Sequence, residues 1–392
     1  MPDDSDQIFI LAATRSPIGG FGGALASVPP IEVATQVIRA ALMQAGVAGA
    51  EVGTVVMGHV INTEPRDMYL GRVAAMQAGI PDTVPAMNVN RLCGSGAQAI
   101  VSAVQALRLG DATVAVAGGA EGMSRAPYAL PAARFGQKMG DVRATDMMTG
   151  ALTCPFGTGH MGVTAENVAA EFGISRAAQD AFALESQRRA AVAIAEGRFA
   201  AQITPIEVTG RKGVVQFAVD EHPKATSLEA LSALRPAFQK DGTVTAGNAS
   251  GINDGAAALV LSRGVAAGTK PRAQIMGYAH AGVDPRLMGI GPIPAVETLC
   301  AKLGCKPGDF DVVESNEAFA AQAIAVNRAL GLDPAWVNPN GGAIALGHPV
   351  GATGAILVVK ALHELERMAA RTALITMCIG GGQGIALAIE RV

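Results

Sequence analysis

With 392 residues, half of them apolar, only 4% aromatic and 48 of them glycine, the chain reads as an Ala/Gly/Val-rich α/β protein large enough for two or three domains. Its charged residues make up 16% and are mixed in sign to a net −3, which leaves no electrostatic footprint for nucleic acid. Five irregularly spaced cysteines point to free thiols in a reducing compartment, and the acidic start MPDDSDQ resembles neither a signal nor a transit peptide, so a cytoplasmic location is expected.

In chain order, the run QIFILAA (7–13) predicts a short strand, and the TRSPIGGFGG behind it a turn-rich loop. Helical period over 31–45, a strand over 52–60 and a helix over 71–79 follow. The next stretch, VNRLCGSGAQAIVSAVQAL (89–107), places Cys93 between an apolar lead-in and a helix whose Ile100, Val104 and Leu107 share one face. A thiol at a helix N-terminus has its pKa lowered by free N–H groups and the helix dipole, so a reactive Cys93 is expected; a buried packing cysteine is the alternative on local grounds. Residues 112–117 read as a buried strand ending at Gly118 and Gly119.

From 121 the texture changes to prolines, methionines and scattered basic residues. Residues 121–247 are therefore expected to form an inserted, mostly loop-built subdomain that carries ligand contacts. Within it, a helix over 175–197 capped by Ser175 and a hairpin over 210–219 are predicted. The sheet pattern resumes at GNASGINDGAAALVLS (247–262). From 271 the plan of the first half repeats: VNPNGGAIALGHPVGATGAILVVKAL and a strand ending in CIGGG parallel VNRLCGSGAQAIVSAVQAL and its strand. Two similar α/β halves, 1–120 with 248–270 and then 271–392, with a site between them, are expected. The uncharged run 372–389 is broken by Gly380, Gly381, Gly382 and Gly384, and so reads as strand, turn and strand, not as a membrane helix.

Three further residues stand in reactive-looking settings. Asn316, after the strand-like FDVVES, suits holding a water or a carbonyl, and equally suits capping the helix that follows. His348, between Gly347 and Pro349, reads as a loop histidine outside the packed core, open to a role as base, acid or ligand. Cys378 precedes three consecutive glycines after the strand ALITM; a reactive thiol and a buried strand-end cysteine are both open. His160 reads as a solvated loop residue, and His59, His222, His280 and His363 show no partner pattern. Cys154 shows only a loop position, and Cys300 and Cys305 lack the partners of a zinc site, so no metal is expected. The glycine clusters GSGAQA and GGGQG match neither the dinucleotide fingerprint nor a P-loop.

Together, VNRLCGSGAQA, NEAFAAQA, GGAIALGHPVGATGA and CIGGGQG resemble the signature blocks of the thiolases, and the likeness extends through GNASGINDGAAA, DEHPKATSLEALSALRPAF, HMGVTAEN and AGVDPRLMGIGPIPA. It is nearest to the bacterial β-ketothiolases that feed polyhydroxyalkanoate synthesis. The resemblance implies a duplicated α/β/α layered fold, no permanently bound cofactor, and coenzyme A thioesters as substrates: acetyl-CoA, 3-ketoacyl-CoA and free CoA. It implies Cys93 as the acylated nucleophile, and His348 as its base and, with a water on Asn316, one oxyanion hole. Cys378 becomes the acid/base at the substrate α-carbon, and the N–H groups of Cys93 and Gly380 the second hole. Leu152, His160, Met161, Lys224, Ser250, Met288, Ala318 and Phe319 match positions lining the CoA and pantetheine groove. Lys224 stands where Arg is frequent, which touches the CoA-phosphate contact. The segment 121–147 resembles the loop that pairs dimers into a homotetramer. A β-ketoacyl synthase-like enzyme would normally carry His in place of Asn316 and Cys378. A non-catalytic acyl-CoA-binding protein on the same fold should have lost one of Cys93, His348 or Cys378.

Overall fold

The computed structural model describes residues 7–210, 213–265 and 270–392. The acidic residues 1–6, the turn of the expected hairpin at 211–212, and 266–269 beside the expected boundary at 270 lie outside the described residues.

Apolar β-branched runs assemble into one large sheet. In spatial order its strands are Val312–Ser315, Thr372–Ile379, Gln383–Arg391, Ala273–Gly282, Ile8–Arg15, Asn253–Arg263, Val114–Gly122, Thr54–Gly58 and Ala86–Val89. Within the sheet, the strands of the two halves pair, among the described residues, at Phe9 with Gln274 and Ile10 with Ala273. Outward from this seam the halves follow the same plan. Each runs two antiparallel neighbours and then a parallel one: Ile8–Arg15, Asn253–Arg263, Val114–Gly122 and Thr54–Gly58 on one side, Ala273–Gly282, Gln383–Arg391, Thr372–Ile379 and Val312–Ser315 on the other. Ala86–Val89, parallel to Thr54–Gly58, has its counterpart in a single parallel bridge from Val313 to Val337. The repeat read from the two VN-to-glycine stretches is thus a repeat of topology.

The helices Ser95–Leu109 and Thr353–Met368 pack on each other between the halves, sharing one apolar core with both. Pro30–Ala45 and Leu70–Gln77 cover the outer face of one half, and Pro292–Leu303 that of the other. With each half of the sheet forming its own layer, the order runs helix, half-sheet, paired helices, half-sheet, helix. Thr353–Met368 is buried on every side through Leu365, as an all-round core helix must be, although it carries Lys360, His363 and Glu364. Each of these finds a partner: Lys360 Nζ donates to Glu314 at 2.6 Å, Glu364 accepts from Asn340 at 2.7 Å, and His363 Nε2 meets Ala13 O at 3.1 Å. The two central helices touch at their N-terminal glycines. A Cβ on Gly96 would lie 2.7 Å from Ala355 N, and one on Gly354 would collide with Ala97 N. Only glycine admits so close a crossing.

Several expected spans shift. The strand placed over 112–117 is Val114–Gly122, and it runs through its glycines because a Cβ at Gly118 would collide with the neighbouring Ala257 carbonyl. The strand over 52–60 shortens to Thr54–Gly58, and the helix over 71–79 is Leu70–Gln77. The hairpin expected over 210–219 begins earlier, as Ile206–Gly210 paired with Gly213–Phe217. The segment 121–247 is less loop-like than its composition suggested. It holds Met161–Glu171 as well as Arg176–Ala195, the latter capped by Ser175 Oγ on Ala178 N.

Candidate active site

Cys93 is delivered by a strained turn. After Ala86–Val89 the chain reverses with Leu92 at φ 47°, a conformation few non-glycine residues adopt. Asn90 Oδ1 accepts from Leu92 N at 3.0 Å, and Ser95 Oγ accepts from Arg91 N at 2.9 Å while donating to Leu92 O at 2.7 Å. Glycine follows because a Cβ at Gly94 would lie 2.5 Å from Ile379 Cδ1, in the strand that carries the second thiol. The helix proper starts at Ser95 with Gly94 as its cap, so Cys93 lies just before the first turn. The expected fall in its pKa does not occur. Burial pushes the Cys93 thiol up to about 11 and the Glu121 charge adds to this, while N–H groups of Gly380 and of Cys93 itself, hydrogen-bonded to the sulfur, pull the other way. The resting group is a neutral thiol held against two backbone donors.

Cys378 is the penultimate residue of Thr372–Ile379, and the turn Gly380–Gly382 follows it with φ near 85° at Gly381 and Gly382. It is 1% exposed, and burial together with the nearby Cys93 holds its pKa well above the ordinary thiol range.

His348 was expected outside the packed core, yet it is 95% enclosed, at 5% exposure, because the loop 347–352 is pressed between the two halves. Its backbone N–H donates to Asn253 Oδ1 at 2.9 Å. The ring orientation follows from a relay. Thr353 Oγ1 donates to Pro349 O at 2.9 Å, so it accepts from His348 Nδ1 at 2.6 Å. That puts the ring proton on Nδ1 and leaves Nε2 with a lone pair that can accept. Asn316 Nδ2 approaches the same Nε2 at 3.4 Å, consistent with an acceptor there. Burial lowers the His348 pKa to about 4, so the imidazole is neutral at physiological pH.

Asn316 does not cap the next helix, which begins at Ala320 with Phe319 in the cap position. Its N–H donates to Thr376 O at 3.0 Å, and its buried Oδ1 has no hydrogen-bond partner among the described residues.

These groups meet at a groove of about 690 Å³. Cys93, His348, Cys378 and Gly380 line its inner part, and Leu152, His160, Met161, Lys224, Ser250, Met288, Ala318 and Phe319 line it as well. Of the residues singled out from the sequence, Asn316 alone stands behind the wall, reaching the site through His348. Lys224 is the one Lys or Arg on the wall among the described residues. His160 is not a solvated loop residue. Its Nδ1 caps Met161–Glu171 by accepting from Gly162 N at 3.1 Å, and its ring stacks on Phe238 at 4.7 Å. Phe238 in turn sets its edge on Phe319 at 6.0 Å. Sequence reading missed Phe238 as a wall residue, since nothing around RPAF marks it.

It also missed Glu121 and His59. Glu121 accepts from Val60, Ile61 and Gly351 N–H groups at 2.9–3.1 Å, tying both halves together beneath the site. His59 Nδ1 lies 2.9 Å from Ala120 O and 3.5 Å from Glu121 Oε1. Among the described residues no group of three or more His, Cys, Asp or Glu is arranged to hold a metal ion, and no helix is long and apolar enough to cross a membrane.

A duplicated α/β fold whose halves enclose two thiols and a neutral imidazole is shared with a known class of acyltransferases. Models of the thiolase N-terminal domain and the thiolase C-terminal domain match residues 8–264 and 269–391, and the chain belongs to the thiolase family. It is 58% identical to beta-ketothiolase BktB of Cupriavidus necator, over 98% of this chain and 99% of that protein. It is 50% identical to an acetyl-CoA acetyltransferase of Pseudomonas aeruginosa, again over 98% and 99% of the two chains. The solved human mitochondrial 3-ketoacyl-CoA thiolase superposes with a TM-score of 0.96 at 42% identity, covering 100% of both chains. A structure of human mitochondrial 3-ketoacyl-CoA thiolase in complex with CoA gives 0.94 at 43% identity, covering 98% of each.

Proposed function

We propose that this acyltransferase catalyses the reversible Claisen condensation of acetyl-CoA with a second short acyl-CoA to a 3-ketoacyl-CoA and free CoA, through an acyl-cysteine and a ping-pong sequence. His348 Nε2 takes the proton of Cys93, and the thiolate attacks the thioester carbonyl. The tetrahedral oxyanion is met by His348 Nε2–H and by a water on the free Oδ1 of Asn316. The CoA sulfur leaves with the proton of Cys378, so Cys93 carries the acyl group and Cys378 is a thiolate. Its raised pKa makes that thiolate a strong base, suited to the weakly acidic α-carbon of the second acetyl-CoA. The resulting enolate, its oxygen held by one set of donors, attacks the acyl carbonyl. The carbon–sulfur bond breaks, and His348 returns the stored proton to Cys93. Thiolysis runs the same steps backwards.

The observation that carries this reading is the neutral pair, Cys93 with its two N–H donors and His348 with an unprotonated Nε2, beside a second enclosed thiol in one groove. The stepwise groove of Leu152, His160, Met161, Lys224, Ser250, Met288, Ala318 and Phe319 offers an apolar channel for pantetheine and one cation for a phosphate. Mass spectrometry after mixing with acetyl-CoA tests it: one acetyl group on the peptide containing Cys93 is expected, and a label on Cys378 or Cys154 contradicts the assignment.

A further inference from the structure

Neither Cys300 nor Cys305 lines the groove, yet the end of the helix Pro292–Leu303 brings them side by side. After Leu303 the chain turns through Gly304 at φ 69° and ψ 31°, and Cys305 N donates to Cys300 O at 3.1 Å. In a helix exit of this kind, the two residues joined by the bond reaching back five positions ordinarily touch through apolar side chains. The helix Pro30–Ala45 ends the same way, at Gly46 with φ 65°. There Val47 N donates to Leu42 O at 3.1 Å, so the two positions hold leucine and valine. At the end of Pro292–Leu303 both positions hold sulfur.

Covalent geometry bounds their separation. From the 3.1 Å bond, an N–Cα length of about 1.46 Å and a Cα-to-O span of about 2.4 Å, the two Cα atoms lie no more than about 7 Å apart, and less along the bent path of a turn. A disulfide joins Cα atoms about 4.4–6.8 Å apart. Both side chains pack in the apolar cluster of Val296, Leu299 and Phe310, and both thiols are free. They differ in access: Cys300 is buried, while Cys305 is partly exposed between the exposed Gly304 and Lys306. Burial and the neighbouring Cys305 thiol push the Cys300 thiol up to about 12, so it rests protonated, and a soluble reagent meets Cys305 first. Once Cys305 is bonded to another sulfur it can carry no charge against Cys300, whose attack is then intramolecular within a turn already formed. The pair also stands away from the chemistry. At about 1.5 Å per residue the helix is roughly 18 Å long, with Met288 of the groove wall before its start and the two cysteines at its far end.

We propose that Cys300 and Cys305 form a thiol–disulfide exchange site for low-molecular-weight disulfides of the glutathione type, apart from the acyl-transfer groove. The Cys305 thiolate attacks one sulfur of the disulfide and expels one glutathione thiolate, which takes up the proton that Cys305 released. Cys300 then gives up its proton and attacks the Cys305 sulfur, expelling the second glutathione. Two protein thiols are oxidised to one disulfide, and one glutathione disulfide is reduced to two thiols, with no other reactant. In the experiment, the full-length protein is equilibrated with a roughly 100-fold excess of oxidised over reduced glutathione, quenched in acid, alkylated after denaturation and digested with trypsin. Cleavage after Lys302 puts Cys300 and Cys305 on separate peptides, so the disulfide appears in mass spectrometry as a cross-linked pair that reduction parts. The pair should form in more than about half of the molecules, and the desalted protein should keep CoA exchange within about twofold of its reduced form. Cys300→Ser should trap glutathione on Cys305, and Cys305→Ser should leave Cys300 unmodified. Absence of the cross-linked pair in the wild type, glutathione held on wild-type Cys305 without closure, or a disulfide between Cys93 and Cys378 in its place overturns the proposal. CoA exchange lost in step with the cross-link overturns the separation of this site from the groove.

Discussion

Thr353→Val tests whether the relay from His348 to Pro349 sets the base. Valine keeps the volume and the β-branch at this buried helix start but removes Oγ1, which receives the His348 Nδ1 proton at 2.6 Å and donates to Pro349 O at 2.9 Å. A proton left on Nδ1 would then face a methyl group. An unsatisfied buried donor costs about 1–3 kcal/mol, so the ring gains that much by moving its proton to Nε2, where it blocks the lone pair needed by Cys93. At about 1.4 kcal/mol per factor of ten, kcat/KM for exchange of labelled CoA into acetyl-CoA should fall roughly 5- to 150-fold. Thr353→Ser restores the hydroxyl and should recover most of the loss, which a mere packing defect would not allow. Wild-type exchange in a folded Thr353→Val protein would refute the relay.

The same imidazole predicts a pH profile. With burial holding His348 to about 4, acyl transfer should stay level as pH falls through 6.5 and decline tenfold per unit only below about 4; an inflection near 6.5 would contradict an enclosed neutral base. Lys360→Met leaves the fully buried Glu314 without its 2.6 Å partner, and should destabilise the fold by about 3 kcal/mol in urea unfolding. Glu314 already has its pKa raised to about 7, and losing the lysine raises it further, so the penalty should be smallest where the carboxyl is protonated and grow as pH rises past 7; a penalty independent of pH would contradict this. If the segment 121–147 pairs dimers as its resemblance implies, light scattering should show a particle of four 39.7-kDa chains, and Phe135→Asp, in the exposed run with Tyr128, Leu130 and Met139, should reduce it to dimers; a monomeric wild-type mass would contradict that expectation.

What was legible in the sequence was what short motifs carry. Cys93 and His348 stand beside glycines, Gly380 opens a glycine run two residues after Cys378, and all four line one groove. The duplication was also visible, because glycine turn, helix and strand recur in the same order. Charge state was not. Motif position suggests a helix-end thiolate at Cys93, but the enclosing halves remove more solvation than two N–H groups return. Nor does local sequence reveal partners far along the chain. Glu121 meets Gly351 across 230 residues, and Phe238 reaches His160 and Phe319 only through the folded insert. Thr353 lies inside the motif GATG, yet its part in fixing the imidazole depends on the loop that turns Pro349 O toward it. Asn316 was open between two roles until the following helix proved to start at Ala320.

The division of labour between the two thiols is the central claim, and partial-reaction kinetics test it most directly. Cys93→Ala removes the sulfur that carries the acyl group, so both CoA exchange and condensation should vanish. Cys378→Ala keeps Cys93 and His348, and the departing CoA can take the proton stored on His348. Exchange of labelled CoA into acetyl-CoA should therefore persist, while acetoacetyl-CoA formation and thiolysis fall by about 10⁴-fold or more, the upper end for a lost general acid–base. A folded Cys378→Ala protein that loses exchange as completely as Cys93→Ala would contradict the account.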